Sequence, residues 1–521
     1  MRVPRGALVA VAFAVLYLWA FPFFGKMQSA NELPRLLVTE EVVEAHTFRI
    51  DRRLAELGSQ FDVATTPDGH KFSNKAPGAS LVVVPAYALV HAIGGRPSTA
   101  FATWLFRFLA ATVPAFLLLW FMRGPLARFA GGGDEAAGPG VRAALVALGA
   151  GSMILPYGML FMSHAMAATA AAGAFTCAIM LVRGESRRPD LWALGTGLCC
   201  GLAVLADYQA AIAVLGIGLY AFFGTLPRVR GSVVLGIALG GAPSAILLGI
   251  YHRACFGSPL KTGYSYAPDP AHKQGVLGIV GPNREAMWNV WLAPENGIVV
   301  LTPWVLLAIA GAVIVLRDPA RRRALGAEVV TAGGIALAYL FFVGSLVPEF
   351  GRAGWSVGPR YAACALPFLA LLAAPALAVA ARRPAVWIGA LTLIGVGVLV
   401  HVLAATTFPH WPTTFRNPLL EVSARAIREG LAPHSLLTWA GLRGWITLVP
   451  VWGAALALLA WAGGVFTVPA GPSRTRALAA TGAALAAAMV IVFVGYARFP
   501  RSEPKDMAKR WGYVESVWEP R

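Results

Sequence analysis

Residues 25–77 read GKMQSANELPRLLVTEEVVEAHTFRIDRRLAELGSQFDVATTPDGHKFSNKAP. This is the longest polar stretch of the chain. It follows directly on one apolar run, Gly6–Phe24, and almost everything after it is apolar. Read as a loop held at a membrane surface, with crossing helices on either side, it decides the fold. Within it, residues 32–46 have helical spacing (Leu33, Leu36, Leu37, Val43), and Asn31 stands where an N-cap would.

Composition agrees. Of 521 residues, 57% are hydrophobic and 13% charged, and the mean hydropathy is +0.65. Soluble domains carry about 25% charged residues. The chain is therefore read as an all-α polytopic membrane protein. The net charge of +18 would also suit a nucleic-acid binder. Here the basic residues sit in short loops between apolar runs, without interleaved aromatics. That pattern anchors a protein to anionic headgroups and orients it, so no nucleic-acid partner is expected. Cys177, Cys199, Cys200 and Cys364 lie in apolar runs, and Cys255 stands alone near a polar loop. No disulfide framework and no zinc spacing follows from them.

A crossing helix needs about 20 apolar residues. About 13 spans are expected: 6–24, 99–122, 141–160, 163–182, 190–206, 208–224, 231–252, 296–317, 327–346, 360–381, 385–406, 443–465 and 475–497. The first is read as an uncleaved helix rather than a signal peptide, because Gln28-Ser29-Ala30 is a poor cleavage site. A further apolar run, 78–94, is short and contains Pro85. If it does not cross, Arg123, Arg128, Arg142, Arg183, Arg228, Arg321, Arg382 and Arg474 all fall on the same side as Arg2 and Arg5. The positive-inside bias thus puts 78–94 in the interface, the N-terminus inside and the C-terminus outside. The outer side then collects 25–98, 253–295, 347–359, 407–442 and 498–521. Residues 131–140, rich in glycine, read as an inner linker. The aromatics Tyr264, Tyr266, Trp288, Trp291, Trp355 and Trp411 read as an interfacial belt.

The outer loops hold the residue types that chemistry needs. Glu32 is a carboxylate just beyond the first span, and a solvated surface charge is the plainer reading. Lys75, Lys261, Arg352 and Arg360 are outer cations that would also serve as solvated or interfacial anchors. His164 and Asp207 sit at span ends, where a helix-end residue and a turn are the plainer readings. Arg107 lies about 12 Å inside its span, at 1.5 Å per residue. An intramembrane charge either faces a polar cavity or snorkels.

The acidic motif Asn31-Glu32, the segment Lys75-Ala76-Pro77 leading into 78–94, Pro156-Tyr157 through Ser163-His164, Phe256–Tyr264, and Gly354–Tyr361 occur in an order that resembles the GT-C superfamily of polyprenyl-phosphate-sugar-dependent glycosyltransferases. The likeness is to the group with protein O-mannosyltransferases and the lipid A aminoarabinose transferase. It covers roughly residues 1–370. The chain departs from the acidic pair of that group at Asn31. The resemblance implies a GT-C-like catalytic module over 1–382, with a first outer loop of 25–98 carrying interfacial helices, and further spans and an outer tail over 383–521. It implies sugar transfer from a lipid phosphate to an envelope glycan, lipid or protein, at the outer face of a bacterial cytoplasmic membrane. Such transfer needs a base for the acceptor hydroxyl and cations for the departing phosphate. Glu32, His164 and Asp207 are the expected catalytic residues, with Glu32 as base. Lys75, Arg107, Lys261, Arg352, Arg360 and Tyr361 are the expected phosphate ligands. No cofactor is expected. One outer carboxylate without a carboxylate neighbour argues against an obligatory metal, while a divalent ion stays open. The rival class is a flippase or transporter of lipid-linked sugars, which would favour charges near the bilayer midplane and alternating access.

Overall fold

Inside a bilayer every backbone N–H and C=O must be satisfied within its own segment, so apolar runs of spanning length become helices. The computed structural model describes residues 5–19, 31–57, 62–131, 138–185, 187–351, 354–432 and 435–517. These residues are mostly helical, with one two-stranded hairpin. The first elements are α1 (Arg5–Leu18), α2 (Glu32–Glu44), α3 (Asp51–Leu57), β1 (Val63–Thr65), β2 (Lys71–Ser73) and α4 (Gly78–Gly94). Then come α5 (Thr99–Ala130), α6 (Pro139–Gly149), α7 (His164–Arg183), α8 (Pro189–Ala206), α9 (Tyr208–Gly224), α10 (Pro227–Phe256), α11 (Pro303–Arg317), α12 (Pro319–Val343), α13 (Arg360–Ala380), α14 (Pro384–Thr407), α15 (Gly444–Ala462) and α16 (Pro472–Ala497). A final helix, α17 (Pro504–Val517), closes the tail.

Among the described residues, nine of these helices are long and apolar enough to cross a membrane: α5, α7, α8, α10, α12, α13, α14, α15 and α16. Each overlaps one of the expected spans. The expected spans near α1, α6, α9 and α11 are occupied by shorter apolar helices. The expected first span runs on into residues outside the described set, as does most of the 131–140 linker.

Of the nine, α10 and α16 bury the least of their apolar length. Leu235 and Leu239 of α10 and Val490 of α16 are each more than half exposed. Apolar surface on this scale needs a lipid partner. Between helices, packing is by close backbone approach. A Cβ on Gly197 of α8 would sit 2.0 Å from the Ile237 carbonyl oxygen of α10, and one on Gly240 would sit 2.1 Å from that of Leu194. Small residues on both faces let these two helices meet. One buried cluster runs from Ala12 in α1 through α5, α7, α13 and α14 to Ala484 in α16.

The described parts of the quoted stretch, 31–57 and 62–77, pack their apolar residues against α4 and the start of α5. The expected helix is present as α2, but Asn31 does not cap it. Asn31 has helical φ and ψ and makes no side-chain cap bond. α4 lies along α2, where the Tyr87 hydroxyl donates to Glu44 (2.6 Å). It is one continuous helix despite Pro85. The tail is tied down as well, with the Ser502 amide and hydroxyl donating to Glu421 (2.6 and 2.9 Å). Trp411 is a core residue here and not part of a belt: it is 2% exposed and donates to Ser423 (3.0 Å).

Candidate active site

The site is organised on the first turn of α2 and on the connection leading into α7. Glu32 is fully buried. Its Oε1 accepts from Arg107 Nε (2.8 Å) and from the Phe161 amide (2.7 Å), and its Oε2 accepts from Arg107 Nη2 (2.9 Å). His410 Nε2 stands 3.3 Å from Oε2. Burial pushes the Glu32 carboxyl up, but the charge of Arg107 and the His410 imidazole outweigh it. The group is held well below the ordinary carboxylate range. Arg107 is aimed here by a π-helical turn, Phe108–Thr112, which interrupts α5 immediately after it.

One turn along α2, Arg35 is buried and three-way bonded. Its Nε donates to Asn31 Oδ1 (3.2 Å), Nη1 to the Ala76 carbonyl (3.0 Å) and Nη2 to the Ser163 hydroxyl (3.1 Å). Ser163 donates onward to Asp207 Oδ2 (3.4 Å). The same oxygen lies 2.9 Å from His164 Nδ1. Asp207 caps the turn that opens α9, accepting from the Gln209 amide. Burial raises its carboxyl, while the bond from His164 and the charges of His164 and Arg35 lower it, with a net depression.

A second pair faces this chain. Lys75 Nζ lies 2.9 Å from Asp62 Oδ1 and 5.5 Å from the centre of the Tyr264 ring. Burial pushes Asp62 up, but Lys75, Arg360 and Arg35 bring it down. Burial pushes Lys75 down, and Asp62 more than restores it. Both are therefore charged at neutral pH. Arg360 is buried, with its guanidinium 5.3 Å from the centre of the Tyr361 ring. Its Nε has no hydrogen-bond partner among the described residues. Tyr361 in turn lies 6.2 Å from the His164 ring. Three cations (Arg35, Lys75, Arg360) thus meet two carboxylates (Asp62, Asp207) in one neighbourhood. The excess of positive charge suits an anionic ligand. Among the described residues, no three His, Cys, Asp or Glu side chains converge as metal ligands would.

Of the sequence-expected residues, Lys75, His164, Asp207, Arg360 and Tyr361 share this neighbourhood. Glu32 and Arg107 form the buried pair beside it. Lys261 is exposed and rests over Tyr266, 5.7 Å from the ring centre. Arg352 lies outside the described residues. Sequence reasoning missed Arg35, Asp62 and His410, and took Tyr264 for a belt residue. Arg35 was within reach, three residues past Glu32 and hence on the same helix face.

No family model and no curated protein matches the sequence. Solved structures do. ArnT from Cupriavidus metallidurans, bound to undecaprenyl phosphate, is 16% identical; the match covers 93% of this chain and 77% of that one, at a TM-score of 0.51. The arabinosyltransferase EmbB from Mycobacterium smegmatis is 14% identical over 98% of this chain and 42% of its own, at 0.47. The oligosaccharyltransferase AglB from Archaeoglobus fulgidus is 11% identical over 78% of this chain and 56% of its own, at 0.42. The match with ArnT is one of fold. The chain is a multi-pass membrane protein, and its fold is that of ArnT over most of its length.

Proposed function

We propose that the protein is an integral-membrane glycosyltransferase. It moves a sugar from a polyprenyl-phosphate donor to a cell-envelope acceptor at the outer face of a bacterial cytoplasmic membrane. The observation that carries this reading is Arg360: a buried guanidinium whose Nε has no partner among the described residues, beside Lys75 and Arg35. Negative charge builds on the departing phosphate, and preorganised cations in a site sheltered from water stabilise it most. Arg360 and Lys75 are the phosphate ligands in this reading. Glu32, His164 and Asp207 supply the carboxylate and imidazole groups, and Tyr361 stands with Arg360 at the phosphate. That ArnT, sharing the fold, binds undecaprenyl phosphate supports a lipid phosphate here.

The lipid tail needs an apolar bed. A cavity of about 870 Å³ lies along the short helix Arg284–Trp291, lined by Met287, Trp288, Trp291 and Leu292, with the charged Arg284 and Glu285 also on its wall. That helix packs on Pro348–Gly351, whose Phe350 ring stacks 4.4 Å from His272. His272 meets Tyr264, the neighbour of Lys75. We assign the tail to this cavity. Trp288 is about half exposed, so covering it with prenyl chain is worth about 1 kcal/mol, roughly fivefold in affinity. Trp288→Ala should weaken undecaprenyl phosphate binding by about that factor in native mass spectrometry. Unchanged binding would move the tail elsewhere.

The orientation is tested by labelling. In intact cells an impermeant maleimide should reach Gly94→Cys and Lys505→Cys but not Arg322→Cys. All three positions are exposed at the protein surface. Reaction at Arg322→Cys alone would invert the topology and remove the outer site.

A further inference from the structure

We infer that His164, held by Asp207, takes the proton from the acceptor hydroxyl. This rests on the transferase reading above. The base must offer a free lone pair beside the donor phosphate. Glu32 is engaged by two nitrogens of Arg107 and by the Phe161 amide. Asp62 is engaged by Lys75. A carboxylate facing a cation takes up a proton poorly.

His164 is different. Its Nδ1 lies 2.9 Å from Asp207 Oδ2. The carboxylate therefore accepts a hydrogen bond from Nδ1–H, which keeps the proton on Nδ1 and leaves the lone pair on Nε2. Nε2 is buried and has no hydrogen-bond partner among the described residues. Leaving a buried polar atom unmatched is costly, and a bound hydroxyl would satisfy it. Two other interior histidines, His401 and His252, lack this combination. His401 faces the Gly397 carbonyl with Nδ1 (2.8 Å) and Thr302 with Nε2 (3.5 Å). His252 faces Tyr208 (2.8 Å) and the Pro259 carbonyl (3.0 Å). His410 also has a buried Nδ1 without a partner among the described residues, but the carboxylate 3.3 Å from its Nε2 is Glu32, which Arg107 already holds. Asp207 is fixed by Ser163 and by the Gln209 amide, and Ser163 by Arg35. Tyr157 and Tyr361 flank the imidazole at 5.2 and 6.2 Å, and Arg360 lies across the Tyr361 ring. Proton acceptor and phosphate cation thus border the same side chain.

In the step, the acceptor O–H gives its proton to Nε2. The oxygen's electron pair forms the bond to the anomeric carbon. The bond from that carbon to the phosphate oxygen breaks, and its electron pair stays on the phosphate beside Arg360 and Lys75. Asp207 stabilises the imidazolium, which returns its proton to the departing lipid phosphate or to water. Asp207 is a positioning residue in this scheme, and His164 the catalytic one.

The test uses the full chain in nanodiscs, with undecaprenyl phosphate as binding probe and a panel of synthetic undecaprenyl-phosphate hexoses and pentoses as donors. His164→Gln should bind undecaprenyl phosphate like the wild type and release it from the donor about 10²–10⁴ more slowly. The acid limb of the wild-type pH–rate profile should vanish with it. Asp207→Asn should also slow release, and Asp207→Glu should recover part of the rate. Glu32→Gln should keep the acid limb. Wild-type release with an intact limb in His164→Gln, or a limb lost in Glu32→Gln and kept in His164→Gln, overturns the assignment. A wild type that neither binds undecaprenyl phosphate nor releases it from any donor overturns the transferase reading itself.

Discussion

Arg107→Met will destabilise the protein by about 3–5 kcal/mol, the usual consequence of removing one partner from a buried ion pair. The loss is large because Glu32 would keep only the Phe161 amide and the nearby His410, with no charged partner, at a position with no solvent access. Pairing Arg107→Met with Glu32→Gln should recover much of the loss, since no buried charge is then stranded. Thermal unfolding in detergent reads both. The ion pair also predicts a pH dependence. Glu32 sits below the ordinary carboxylate range. Its stabilisation is therefore complete above the unfolded Glu pKa of about 4.3 and is lost only as pH falls below it. Glu32→Gln should remove that acid sensitivity. Equal unfolding temperatures for the wild type and Arg107→Met would mean the pair is not formed.

Arg360→Ala is the second large effect, this time on rate. Loss of a preorganised donor at a developing charge costs about 2.7–4 kcal/mol, or 10²–10³ in turnover. Arg382→Ala removes an equal charge at the far end of the helix, in a basic loop, and should leave turnover near normal. Release of undecaprenyl phosphate from donor separates the two. Equal effects, at equal yield of folded protein, would make Arg360 a lipid anchor.

Much of the fold was legible because its signal is one-dimensional. A run of about 20 apolar residues has only one way to satisfy its backbone in lipid, so the nine long helices stand where the apolar runs stand. α2 was legible because Leu33, Leu36 and Leu37 repeat at helical spacing, and all three are buried. The site was legible only in pieces. Glu32 and Arg107 are 75 residues apart, and nothing local ties a carboxylate to a guanidinium at that distance. His410 lies in the last third, in a loop without a motif, and is brought to Glu32 by α14. Asp62 reads as one more charge in a polar loop until the hairpin β1–β2 folds Lys75 back onto it. Trp411 misled because an outer-loop tryptophan can face the interface or the core, and composition does not give direction.

The most direct test of the central claim is donor turnover by the purified protein in nanodiscs, where transport across a bilayer has no meaning. With the undecaprenyl-phosphate sugar panel, the account predicts release of undecaprenyl phosphate by the wild type and its loss in Arg360→Ala. No release from any donor, together with movement of the same lipid-linked sugars across proteoliposomes, would contradict it and make the protein a flippase.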